Sequence, residues 1–135
     1  MGNFKQLRVW QYGMSLTTEI YKTTRKKPFS HDYGLKNQIE RASVSIPSNI
    51  AEGDDRGSNR AAVHFFNIAK GSSAEVVTQL GIAYNIGYID KKTFNDLENQ
   101  AQRINASLKN LIKARGGENL LNKTWWFILA ILLPI

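Results

Sequence analysis

The chain has 135 residues, and its 18 lysines and arginines against 11 acidic residues give a formal net charge of +7. This length suits one compact domain, and an apolar share of 42% excludes a wholly disordered chain. The sequence contains no cysteine, which excludes disulfides, thiolate metal sites and cysteine nucleophiles. The positive charge favours an acidic partner, without choosing between a phosphate backbone, anionic lipid and an acidic protein surface.

The first two predicted helices are separated by a basic stretch that contains a proline. Helix one ends near residues 25–28, because Pro28 lacks the N–H that a helix needs. Its apolar stripe at helical spacing consists of Leu7, Trp10, Met14 and Tyr21, and Val9, Leu16 and Ile20 widen it. Asp32 is the predicted N-cap of helix two. Pro47 lies inside helix two, where it frees the carbonyl oxygen four residues earlier and should kink the helix.

Two further amphipathic helices complete the predicted fold. The third follows a cap at Ser58 or Asn59 and ends at Gly87, and its small residues at 69–74 would let a neighbouring helix approach closely. The fourth follows a cap at Asp90, and its apolar residues recur at alternating steps of three and four. No strand pattern competes with this reading. We therefore expect an all-α fold, an antiparallel up-down-up-down four-helix bundle at residues 1–117.

A short apolar C-terminal tail at residues 118–135 is the second predicted unit. From Trp125 to Ile135 every residue is apolar or proline, but a membrane-spanning helix needs about 20 such residues. We favour docking of this run in a hydrophobic groove of the same or another subunit, and membrane contact and a segment without function stay open. Because residues 1–10 hold no apolar run of signal-peptide length, we expect a cytoplasmic protein.

A dense motif in the second helix carries a family resemblance. It reads Ser45-Ile46-Pro47-Ser48-Asn49-Ile50-Ala51-Glu52-Gly53, and Arg56 follows it. Together with Phe4-Lys5-Gln6-Leu7-Arg8-Val9-Trp10 and Gly71-Ser72-Ser73-Ala74-Glu75, it resembles the four-helix bundle proteins encoded in intervening sequences of bacterial 23S rRNA genes. The resemblance implies a helical bundle without known catalysis that assembles into ring-shaped homopentamers.

The accessory variability determinant of diversity-generating retroelements is similar in fold to that family. Membership there would imply binding to a reverse transcriptase, and to nucleic acid through a basic surface. The residues of this chain do not show which genomic setting it comes from.

Polar residues in and around the motif are candidates for a structural role. The set is Arg41, Pro47, Asn49, Glu52, Arg56 and Glu75. Glu52 and Arg56 can pair four residues apart, and Glu75 can meet them from the third helix. We interpret these side chains as partners of the carbonyl that Pro47 frees, since buried polar groups need partners. The alternative is a polar site for a ligand.

Basic side chains are the candidate contacts to nucleic acid. They are Lys22, Arg25, Lys26, Lys27, Lys91, Lys92, Arg103, Lys109, Lys113 and Arg115. Lys91 and Lys92 begin a helix, where the helix dipole disfavours cations. We expect residues 22–27 and 91–92 to combine only across different ends of the bundle or different subunits, and the sequence does not decide which. A solvated face that keeps the protein soluble is the alternative interpretation.

No residue pattern supports catalysis, a metal or a cofactor. His31 and His64 lack the spacing of metal ligands, and no Gly-x-Ser-x-Gly elbow or phosphate-binding glycine loop occurs. We therefore expect a non-enzymatic homo-oligomer, a pentamer by resemblance, that binds RNA or DNA or a nucleoprotein through repeated basic patches. The alternative is a protein-interaction scaffold, such as an accessory subunit that binds a reverse transcriptase.

Overall fold

The computed structural model describes residues 2–117 and 131–132. Its helices are α1 (Arg8–Thr24), α2 (Tyr33–Asp55), α3 (Asn59–Asn85) and α4 (Lys91–Ala114). Short 3₁₀ turns at Phe4–Gln6 and Phe29–His31 precede α1 and α2. No strand occurs among the described residues, which confirms the predicted all-α class. The predicted tail at 118–135 lies outside the described residues, apart from Ile131 and Leu132.

The helices surround one hydrophobic core. Each helix packs against the next one along the chain, and α4 also packs against α1, so the four close into a bundle. Short connections, such as residues 56–58 between α2 and α3, make sequential helices neighbours that run in opposite directions. Among the helices of the described part, none combines the length and the apolar character needed to cross a membrane.

The predicted N-caps of three helices are confirmed. Side-chain oxygens of Asp32, Ser58 and Asp90 accept hydrogen bonds from the backbone N–H three residues later, at 3.1, 3.1 and 2.7 Å. Such bonds satisfy N–H groups that have no partner inside the helix. The starts of α2, α3 and α4 are therefore fixed by local sequence.

The core face of α1 contains Val9, Leu16 and Ile20 of the predicted stripe but departs from it at two positions. Met14, placed in that stripe, is 44% exposed. Gly13 takes part in the buried face instead, because a Cβ atom there would lie only 3.3 Å from Ile46 Cγ2 and 3.4 Å from the Pro47 ring. A close approach between α1 and α2 thus adds Gly13 to the inward face of α1. The buried residues of α1 are Val9, Gly13, Leu16, Ile20 and Thr24.

Pro47 lies inside α2, as predicted, so the carbonyl oxygen of Ser43 lacks its helical donor. This oxygen accepts a hydrogen bond from Thr17 Oγ1 of α1 at 2.8 Å. Thr17 Oγ1 lies equally close to the carbonyl oxygen of Gly13, at 2.8 Å, but that oxygen already has an N–H partner within the helix. The Thr17 hydroxyl therefore stabilises the fold most when it donates its proton to the carbonyl oxygen of Ser43.

The interpretation that polar side chains of the second-helix motif satisfy the freed carbonyl is wrong. Its partner is a hydroxyl on the neighbouring helix, brought into reach by the close approach at Gly13. Pro47 and Thr17 thus join α1 to α2 through a bond that neither helix could form alone.

Replacing Thr17 with Val should lower the free energy of unfolding by about 1–3 kcal/mol, because a buried carbonyl loses its partner while side-chain volume is kept. The matched control is Thr18→Val, which removes a hydroxyl bonded to the Met14 carbonyl on the exposed side of α1. Its cost should stay within about 0.5 kcal/mol. Urea unfolding of both variants measures the difference.

The same substitution in a Pro47→Ala background supplies the cross-check. An alanine N–H at this position can bond the Ser43 oxygen, so the cost of Thr17→Val should shrink there. Equal costs in the two backgrounds would contradict the assigned role of Thr17.

Candidate nucleic-acid interface

The connection between α1 and α2 packs against the turn between α3 and α4. The Tyr88 hydroxyl donates a hydrogen bond to Asp32 Oδ2 at 2.8 Å, and the rings of Phe29 and Tyr88 have centroids 5.3 Å apart. Phe29 is only 1% exposed, so the contact belongs to the core. The end of α1 and the start of α4 therefore lie at the same end of the bundle.

Asp32 stabilises this end in two ways. It caps α2 through the N–H of Leu35, and this bond, followed by the one from Tyr88, lowers the pKa of the Asp32 carboxyl. The hydrogen bond to that carboxylate in turn raises the pKa of the Tyr88 hydroxyl. Both shifts favour an ionised Asp32 beside a protonated Tyr88. The contact is therefore a charge-assisted hydrogen bond.

Six of the ten predicted basic contacts lie at this end. The expectation that residues 22–27 and 91–92 combine only across different ends or different subunits is wrong. The C-terminal end of α1 and the N-terminal end of α4 lie at the same end of the bundle. All six side chains are exposed. We call this set the basic end, and it consists of Lys22, Arg25, Lys26, Lys27, Lys91 and Lys92.

Acidic groups near the basic end do not cancel its charge. Within residues 22–32 and 86–92 the six cations are accompanied by two carboxylates, Asp32 and Asp90, and both are N-caps. One further carboxylate, Glu19 of α1, lies 3.5 Å from Lys22 Nζ. Hydrogen bonds from the Thr93 side chain and backbone lower the pKa of Asp90, and the charges of Lys92 and Lys26 add to this effect. Two lysines, one in the connection after α1 and one at the start of α4, thus both lower the pKa of the Asp90 carboxyl.

The other four predicted contacts lie along α4, away from the basic end. The guanidinium carbon of Arg103 is 5.5 Å from the centroid of the Tyr12 ring. Lys109 and Lys113 are exposed on the C-terminal half of the helix. Arg115 is paired, with Nη2 3.3 Å from Asp54 Oδ1 at the opposite end of the bundle. The structure therefore does not join these four residues to the basic end as one patch.

The polar residues of the second-helix motif are also divided. Glu52 and Arg56 form the predicted ion pair on the surface, with Arg56 Nη2 2.6 Å from Glu52 Oε1. Arg41 and Glu75 line a surface hollow of about 320 Å³ between α2 and α3. No ion pair joins these two side chains in the described part of the chain. The set is therefore not one polar site.

Asn49 connects α2 to α3 through a chain of hydrogen bonds. Its Nδ2 donates to the carbonyl oxygen and to Oγ of Ser45, at 2.8 and 2.9 Å. The Ser45 hydroxyl in turn lies 2.8 Å from the Ser72 hydroxyl on α3. Asn49 thus orients a bond between two helices.

Groups of three or more His, Asp or Glu side chains arranged to hold a metal ion do not occur among residues 2–117 and 131–132. This finding concerns the described residues alone.

Comparison with known proteins agrees with the fold. The model of the 23S rRNA-intervening sequence protein family matches residues 5–110, which is most of the chain. The chain belongs to this family. No curated protein matches it.

A solved structure of this family's fold provides a second comparison. It is a protein of unknown function from the S23 ribosomal protein family of Bacteroides thetaiotaomicron VPI-5482. The two are 24% identical with a TM-score of 0.72, and the match covers 78% of this chain and 98% of that chain. This likeness shows a shared fold.

Three features of this family member were missed from the sequence. They are the Thr17 bond to Ser43, the Tyr88 bond to Asp32, and a hollow beside Tyr12 that is described below. The meeting of the two lysine groups had a usable signal, because helix direction in an up-down bundle places the end of helix one beside the start of helix four. The three missed features depend on the register between helices, for which the sequence holds no local signal.

Proposed function

We propose that this member of the 23S rRNA-intervening sequence protein family is a non-enzymatic homo-oligomer that binds the phosphate backbone of RNA or DNA through the basic end. The observation that supports the proposal most is the meeting of six exposed cations, from the end of α1, the connection after it and the start of α4, with three carboxylates, Glu19, Asp32 and Asp90. Contacts to phosphate add affinity without reading bases. Binding should therefore be sensitive to salt and tolerant of sequence.

Self-association would strengthen such binding. When several subunits each present a basic end, contacts after the first become intramolecular, and weak phosphate contacts combine into avidity. The charge of each subunit, +7, repeats in every copy.

The outer face of α3 supports the homo-oligomer. Ile68 and Ile82 are 40% and 45% exposed, and their spacing of 14 residues puts them on one side of the helix. Gly71 lies between them, and no atom comes within 4 Å of the place where a Cβ would stand. The small residues predicted to permit a close approach thus include one that faces outward, where a second copy can approach.

Double substitution Ile68→Glu/Ile82→Glu should reduce the native mass to that of one chain, 15.3 kDa, while the thermal transition stays cooperative. The control Met14→Glu also adds a charge at an exposed apolar position, 44% exposed on α1, and should keep the oligomer. Native mass spectrometry measures all three proteins. A monomeric wild-type protein would overturn the homo-oligomer, and an intact oligomer in the double variant would overturn this face as its interface.

The basic end is tested by two double variants with the same net charge. Lys26→Gln/Lys92→Gln should weaken binding to a single-stranded RNA and reduce the magnitude of the slope of log affinity against log salt by about 1.4, about 0.7 for each lost phosphate contact. Lys109→Gln/Lys113→Gln should change both values little. Fluorescence anisotropy between about 50 and 200 mM salt measures them.

Equal losses in the two variants would mean that total charge decides binding, and would contradict the basic end. Absence of binding by the wild-type protein at low salt would overturn the function itself. The protein-interaction scaffold, with a partner such as a reverse transcriptase, would then be favoured.

A further inference from the structure

A hollow of about 430 Å³ opens between α1 and α4. The Tyr12 ring is half-buried and packs against the core, which fixes its position. The guanidinium of Arg103 is exposed and lies over this ring, with its carbon 5.5 Å from the ring centroid. This volume lies within the range of small-ligand sites. The side chains that line the hollow are Tyr12, Ser15, Glu19, Gln100 and Arg103.

The chemistry of this hollow suits a flat ring with hydrogen-bonding edges. A guanidinium plane and an aromatic ring both provide surfaces on which nucleic-acid bases stack. Ser15 and Gln100 each supply donors and acceptors, and the carboxylate of Glu19 accepts hydrogen bonds from amino groups. An unpaired base presents both a free face and free edges, whereas a base inside a duplex presents neither to such a hollow.

The hollow lies beside the basic end on α1. Glu19 follows Tyr12 by seven residues, about two helical turns, and so shares its side of this helix. Lys22 Nζ is 3.5 Å from Glu19 Oε1, which places a basic-end ammonium beside the hollow. At 1.5 Å per residue, Tyr12 and Lys22 are about 15 Å apart along the helix, a distance that a few nucleotides span.

We propose that the hollow between α1 and α4 holds an unpaired base of a single-stranded nucleic acid whose phosphates lie along the basic end. This inference rests on the proposed function and narrows its ligand from any polyanion to a single strand. Lys22 beside the hollow and the other cations of the basic end favour a strand whose phosphates follow the bound base. Stacking gives a preference for single strands that phosphate contacts alone do not provide.

Affinity for matched single strands and duplexes tests the inference on the full chain. Tyr12→Leu should weaken binding to a strand of about 12 nucleotides by about five-fold or more, the effect of losing one stacked base. Affinity for the duplex of the same sequence should stay within about two-fold, because its contacts go to phosphates. RNA and DNA versions of the strand show which sugar the site accepts.

Charge-conserving variants separate stacking from stability. Arg103→Lys keeps the positive charge and removes the planar guanidinium, so it should weaken single-strand binding and spare duplex binding, whatever Tyr12→Leu does to folding. The matched control is the second arginine–aromatic pair, at the opposite end, where Arg56 lies 5.4 Å from the Phe65 ring centroid. Arg56→Lys and Phe65→Leu should leave both affinities unchanged.

Each result has one meaning. Loss of single-strand binding alone, in Tyr12→Leu and Arg103→Lys but not in the controls, supports the inference. Equal loss for strand and duplex, or no loss, overturns it while the basic end still binds nucleic acid. If the wild-type protein binds neither strand nor duplex at low salt, the proposed function fails together with it.

Discussion

The contact between Tyr88, Phe29 and Asp32 is the constraint on which the functional arrangement depends. It joins the connection after α1 to the turn before α4, with one ring in the core and one hydrogen bond to an ionised carboxylate. The six lysines and arginines of the basic end flank these two segments, and their mutual repulsion is limited because they are exposed and screened by salt. Burial of Phe29 and the charge-assisted bond between Tyr88 and Asp32 thus hold the two segments together against this limited repulsion.

The most distinctive motif of the sequence serves the fold rather than the basic end. Pro47 leaves a carbonyl that Thr17 bonds, and it packs where Gly13 lets α1 come close. On the side toward α3, a Cβ atom at Gly53 would lie 2.9 Å from Phe66 Cε1, so glycine allows that approach as well. Asn49 bonds to Ser45, and the Ser45 hydroxyl in turn bonds to the Ser72 hydroxyl on α3. This segment of α2 therefore fixes its position against both neighbours, and the basic end lies elsewhere.

Local signals predicted the helices well because caps and prolines act within a few residues. Asp32, Ser58 and Asp90 each begin a helix at the expected place. Hydrophobicity predicted Val9, Leu16 and Ile20 on the inward face of α1, but it did not predict Gly13, which is buried where α2 comes close, and it wrongly placed Met14 there. The candidate site was predicted only in part. Charge identified the lysines and arginines of the basic end, but their expected separation was wrong, although helix direction in an up-down bundle was a usable signal for their meeting. The pairing of Tyr12 with Arg103 depends on the register of the bundle.

Amide chemical-shift mapping with a short single-stranded RNA tests most directly whether phosphates bind where the two connections meet. At low salt, shifts should concentrate in residues 22–32 and 86–92 and continue along α1 toward Tyr12. Shifts confined to residues 109–115 of α4 or to the hollow between α2 and α3, with none at the basic end, would contradict the account.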